Sequence, residues 1–206
     1  MSTGLGRGEE ALRYLRTGLR EDPINYGLAD SLQGTLLYMG RFREALEQGR
    51  RVLEMQPNDT WGTFFLGETA LALGDHKTAL ESFERLGRLD AGFGHARLAG
   101  LAAVHFAMGH QPESDRFMRQ LEREAVGEDA YLVAKAHAYR HELDAAFRWL
   151  ARARDQKDMM VAMGPGDPAF APYVDEPRYR AWLAGLYPPN PSIGRPGDSS
   201  GNRVTQ

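Results

Sequence analysis

Apolar, small and turn-forming residues return along this chain at one spacing. Leu32 and Leu66 are 34 residues apart, and Leu101 follows after 35. Ala11, Ala45 and Ala79 are each 34 apart, then Ser114 after 35 and Ala146 after 32. Gly6, Gly40 and Gly74 keep the same interval, Gly109 follows after 35, and Pro23 and Pro57 are 34 apart. Residue types of such different chemistry sharing one period indicate a repeat architecture, each unit burying its apolar face on its neighbours. The types suit a helix–turn–helix unit. Gly ends a first helix, where a left-handed residue costs little. Ala marks a close helix crossing. Four positions later a large apolar residue (Leu15, Phe83, Met118, Leu150) fills the hairpin core, except at Gly49, where the contact is expected to be thinner. Pro stops the second helix. The pattern predicts helices over 9–20, 26–39, 43–55, 60–73, 76–88, 93–108, 112–124, 128–140 and 143–155.

With these positions in view, the chain resembles the tetratricopeptide repeat family. The unit from Thr60 carries the fullest pattern, with Leu66-Gly67, Gly74-Asp75, Ala79, Phe83 and a preceding Pro57-Asn58-Asp59. The unit from Tyr26 keeps Leu32, Gly40, Ala45 and Pro57 but has Gln33 where Gly is usual. The unit near His95 keeps Leu101-Ala102, Gly109 and Ser114; the last, from Gly127, has Val133-Ala134, His141 in the Gly place, Ala146 and Leu150. The resemblance implies an all-α, right-handed solenoid of stacked helical hairpins spanning residues 1–155, with a half unit at the N-terminus. Its register puts Gly6 at a mid-repeat turn and leaves helix 9–20 as a second helix without its first: either it is itself the cap, or the chain is a piece or relative of a longer protein with an upstream domain, and the incomplete unit is a surface through which copies could associate.

A different signal occupies residues 156–186. The run Asp167-Pro168, Phe170, Pro172, Asp175, Pro177-Arg178-Tyr179 and Leu183 is similar to the segment closing such arrays in bacterial signalling proteins, behind cyclase, kinase or transcription-regulator domains. Its prolines break the backbone, and a short capping helix from Pro177 is expected to lay Tyr179, Trp182, Leu183 and Leu186 over the last repeat. Residues 187–206 are rich in Pro, Gly and Ser and read as a disordered tail.

The resemblance implies that the first helix of each unit lines a concave groove. There it places Asp30, Gly34, Leu37 and Tyr38; Trp61, Phe64, Glu68 and Leu71; Ala96, Ala99, Ala103 and Phe106; then Glu128, Tyr131, Lys135 and Tyr139. Trp61 and Phe64, one helical turn apart, would either anchor a partner or pack on the neighbouring repeat. Some family members clamp a C-terminal carboxylate with Lys and Asn, at positions that here hold Asp30, Phe64, Gly34 and Glu68. An acidic pair, Asp30 and Glu68, would suit a basic or amphipathic partner instead. The expected function is a scaffold that binds a partner's peptide or helix in this groove. The alternative is a regulatory, self-associating region of a bacterial signalling system.

Composition narrows the chemistry. The net charge of −3 supplies no field for nucleic acid or an acidic membrane. The chain has no cysteine, which excludes disulfides, thiol nucleophiles and most zinc sites. No apolar run approaches the about 20 residues that span a bilayer, and no secretory signal opens the chain, so the expectation is a soluble cytoplasmic protein. His137 and His141, four apart, lack an intervening catalytic Glu or third ligand and are read as packing residues, not a metal site. Met159, Met160 and Met163 are read as gap-fillers, and Arg41, Arg43, Arg50 and Arg51 as a solvated face paired by Glu44 and Glu47. No catalytic constellation and no cofactor motif is found.

Overall fold

The computed structural model describes residues 2–125 and 127–186. The helices are α1 (Ser2–Glu21), α2 (Tyr26–Tyr38), α3 (Phe42–Met55), α4 (Thr60–Leu73), α5 (His76–Leu89), α6 (Gly94–Ala107), α7 (Gln111–Glu124), α8 (Ala130–Tyr139), α9 (Leu143–Asp155) and α10 (Pro177–Leu186). Short 3-10 turns cover Ala91–Phe93, Met159–Gly166 and Pro168–Tyr173. The tail expected over 187–206 lies outside the described residues.

The period of the sequence becomes a repeated backbone motif. Gly40, Gly74 and Gly109 adopt φ of 74°, 75° and 77°, and His141, in the fourth Gly place, adopts 61°. At each turn the left-handed residue and its successor donate back into the helix they end. Gly40 N bonds Leu37 O and Arg41 N bonds Leu36 O, both at 2.9 Å, and His141 N and Glu142 N repeat this with Ala138 O and His137 O at 3.0 Å. These bonds satisfy carbonyls that a helix end otherwise leaves unpaired. The helix starts are fixed by side-chain caps: Asn25 accepts from Leu28 N at 3.1 Å and Asp59 from Gly62 N at 2.6 Å. Ala45, Ala79, Ser114 and Ala146 are buried at the crossings, where Ser114 Oγ donates to Ala102 O at 2.7 Å.

Helices pack most densely as α2–α3, α4–α5, α6–α7 and α8–α9, and α1 packs on α2. One core cluster runs from Leu12 to Ala136; a second gathers Ala130, Leu150, Phe170, Tyr179 and Trp182 at the far end. Gly6 corrects one expectation. It lies inside α1, which already runs from Ser2, so the chain is helical there and forms no turn. α10 starts at Pro177 as expected, and buries Tyr179 and Trp182. Tyr179 Oη donates to Gly164 O at 2.6 Å and Trp182 Nε1 to Leu150 O at 3.0 Å, so neither ring is buried with an unpaired polar atom.

Candidate functional site: a half-filled concave face

Lys135 on α8 reaches Glu68 on α4, two hairpins away. Such a contact is possible only on the inner side of a curved stack. The small side chains of Ala96, Ala99 and Ala103 on the intervening α6, all buried, leave the room for it. This is the concave face, and its C-terminal half is not open. After α9 the chain turns back and lays Met159–Gly166 and Pro168–Tyr173 along α8 and across to α2. Asp167 Oδ2 lies 3.0 Å from Lys135 Nζ and accepts from Tyr131 Oη at 2.9 Å, while its Oδ1 accepts from Ala169 N at 2.9 Å. Tyr38 Oη donates to Met163 Sδ at 3.0 Å, and Gly166 passes so close to the Tyr38 carbonyl that a side chain there would strike backbone.

The electrostatics of this centre follow from burial. Lys135 is 2% exposed, Glu68 3% and Asp167 3%. Burial works against the Lys135 charge, but Asp167 and Glu68 outweigh it and hold the ammonium protonated. For Glu68 burial is the largest influence and raises its pKa; Lys135 opposes it and Asp167 adds to it.

This arrangement corrects the expected groove residue by residue. Phe64, Glu68, Leu71, Tyr131 and Lys135 are buried, and Tyr139 is half-buried with its hydroxyl enclosed, so none of them offers a free surface. The physical reason is the returning segment together with the neighbouring first helices. Phe106 is half-buried against His141, with Arg140 over its ring. The acidic pair of Asp30 and Glu68 is also dissolved, because Glu68 is committed to Lys135.

What remains open is the end between α2 and α4. An open depression of about 1080 Å³ is lined there by Tyr26, Asp30, Tyr38, Asp59, Trp61 and Phe65, with Met163 and Pro165 of the returning segment as its far wall. A smaller depression of about 380 Å³ adjoins it and shares Tyr26, Asp59 and Trp61. Aromatic rings form a ladder along the wall: Phe93 to Trp61 at 5.0 Å, Trp61 to Phe65 at 5.5 Å, Phe65 to Tyr38 at 6.3 Å. Trp61 keeps 42% of its surface exposed and Tyr26 53%. Asp30 and Asp59 sit side by side above Gly62, where a Cβ would stand 3.3 and 3.2 Å from their Oδ1 atoms. Asp30 Oδ1 is buried and receives no donor. Burial first, and the adjacent Asp59 second, push the Asp30 carboxyl up to about 7. Of the expected groove residues, Asp30, Tyr38 and Trp61 line this depression. Asp59, which the sequence offered only as part of the turn before α4, and Phe65, one residue off the expected row, line it with them.

The histidines separate. His137 is buried, with Nδ1 at 2.6 Å from Glu142 and Nε2 at 3.1 Å from Glu122. His141 points to the Tyr173 hydroxyl at 2.6 Å. A different group, His95, Glu128 and Asp129, has ligand-type atoms within 4.8 Å of one another, with His95 Nδ1 already 2.8 Å from Asp129. The methionines divide too. Met160 packs on both cores, Met163 bounds the depression, and Met159 is 89% exposed, so gap-filling does not describe it. Arg41 pairs with Glu44 at 2.6 Å, as the hairpin's local charges suggested.

No family model and no curated protein matches the chain. Solved structures do. A thermophilic TPR protein of Thermus thermophilus, TTC0263, matches with a TM-score of 0.61 at 22% identity, over 88% of this chain and 93% of that one. MamA matches with a TM-score of 0.55 at 16% identity, over 75% of this chain and 91% of that one. The fold is that of a tetratricopeptide-repeat solenoid. Among the described residues no helix is long and apolar enough to cross a membrane.

Proposed function

We propose that this tetratricopeptide-fold chain is a protein-interaction module that binds a segment of a partner in the open, α2–α4 end of its concave face. The observation that carries the reading is the depression of about 1080 Å³ with an aromatic ladder on its wall, left where the returning segment stops. An aromatic side chain held rigid and part-exposed offers large contact area at little entropic cost, which is what binding anchors use. The returning segment supports the same reading, because the other half of this face accommodates a stretch of 3-10 turns through an ion pair and buried aromatics. The run similar to the closing segment of signalling proteins has intramolecular work at Asp167, Phe170 and Tyr179, which accounts for those residues without a signalling partner.

The test is a pull-down from a lysate of the source cells with the wild-type chain and a Tyr26→Ala/Trp61→Ala variant. Both side chains are surface-exposed, so equal circular dichroism and thermal unfolding are expected. Phe64→Ala is unsuitable, since removing a fully buried Phe costs about 3–5 kcal/mol and would confound binding with unfolding. Loss of a captured protein in the variant is the expected result; capture unchanged would move the site off this face.

A further inference from the structure

The two halves of the concave face pair charge differently. In the filled half the scaffold supplies the cation, Lys135, which meets both the scaffold's own Glu68 and the inserted segment's Asp167. In the open half the scaffold supplies acid. The charged side chains that line the two adjoining depressions around Trp61 are Asp30, Asp59 and Asp90. Among the described residues no arginine or lysine lines either depression. Asp59 already caps α4 through its Oδ1, and Asp90 accepts from Gly92 N at 2.8 Å. Asp30 is the acid whose buried oxygen lacks a donor. A guanidinium or ammonium arriving there would supply it, and would meet Tyr26, Tyr38 and Trp61 on the surrounding walls, whose ring faces attract cations.

Resting on the interaction reading above, we infer that the open end receives a partner peptide that inserts an arginine or lysine toward Asp30 and Asp59 and lays a large apolar neighbour on Trp61. The inserted residue mirrors the internal precedent: chain enters the same face, and its charged side chain finds the opposite charge at the bottom. The surrounding depression is mostly apolar, with Phe65, Met39, Met163 and Pro165 around the acids, so a peptide made only of charged residues would leave most of it unfilled.

The experiment is selection of random dodecapeptides displayed on phage against the full chain, followed by affinity measurement of the enriched peptides by fluorescence anisotropy. The expected result is enrichment of Arg or Lys beside a Leu, Met or aromatic residue. Affinity should fall about tenfold or more in Asp30→Asn and in Trp61→Ala, the size of effect usual when one partner of a partly desolvated charge contact or an aromatic anchor is removed. Asp59→Asn should weaken binding while keeping the α4 cap, because Asn caps as Asp does. Enriched peptides that lack a basic residue, or that bind Asp30→Asn as well as wild type, would overturn the inference and leave the interaction reading standing. A failure to enrich any peptide would sink both. Octylguanidinium binding as tightly as the peptides would assign the site to a small cation and overturn the inference too.

Discussion

At the scale of single residues, the two departures of the second unit from the tetratricopeptide pattern cancel each other. Gln33 stands where Gly is usual and Gly49 where a large apolar residue is usual, and the Gln33 amide fills the space a side chain at Gly49 would take. In the next unit the same contact is made the other way round, with Phe83 over Gly67, 3.0 Å from where a Cβ would be. Large and small have changed sides, so the contact is not thinner, only reversed. Gln33 Nε2 donates to Gly62 O at 3.2 Å, but its Oε1 is buried without a donor. This predicts non-additivity. Gly49→Phe alone overpacks the crossing and costs about 1–3 kcal/mol. Gln33→Gly alone opens a void, while the pair recreates the Gly67–Phe83 contact and removes an unsatisfied amide oxygen. A double-mutant cycle by urea unfolding should give a favourable coupling of about 1 kcal/mol or more. Additive losses would show that the two positions do not share this space.

At the scale of elements, the returning segment is held by a buried charge centre, and this sets its response to mutation and pH. Lys135→Met leaves Glu68 and Asp167 buried without their cation, a loss of about 3–5 kcal/mol near neutral pH. The direction with pH follows from Glu68, whose folded-state pKa is already raised by burial and loses in the variant the one cation that opposed it. A carboxyl raised on folding contributes stability at low pH that is lost as pH rises through its folded value. The variant should therefore recover part of its loss at pH 5 and be weakest at pH 8 by urea unfolding; an equal loss at both would remove Glu68 from the account. The same element shows where the sequence stopped being legible. Gly40, Ala45 and Pro57 each report on their own hairpin, so a period of 34 exposes them. The contact of Tyr38 with Met163 joins residues 125 apart and occurs once, so no periodicity carries it. The available signal was Lys135 itself, one of three lysines, set in the otherwise apolar Ala-Tyr-Leu-Val-Ala-Lys-Ala run of α8, with Asp167 downstream in the closing run but not linked to it. Asp30 and Asp59 were legible as residues but not as a pair, because what joins them is the missing side chain of Gly62.

At the scale of the whole molecule, the stack is anchored unequally. α8 is packed by α6, α7 and α9 and by both 3-10 turns of the returning segment, whereas α1 packs on α2 and carries Tyr14 at 64% exposure. In a repeat protein stability is close to a sum of unit and nearest-neighbour terms, so elements with fewer neighbours open at lower free energy. Native-state hydrogen exchange should therefore find faster helical amides in α1 than in α2, and the slowest in α8 and α4. The open depression lies at the soft end, walled by α2 and the start of α4 but closed on one side by Met163 and Pro165 of the firmly held segment. A peptide bound there ties α2 to both, so saturation should slow exchange in α2 and the first turn of α4 and leave α8 unchanged. Uniform protection of α1 and α8 in the free chain would contradict the unequal anchoring. Slowing spread evenly over every helix on binding would place the ligand's effect on the stack as a whole instead of on the Tyr26–Trp61 wall.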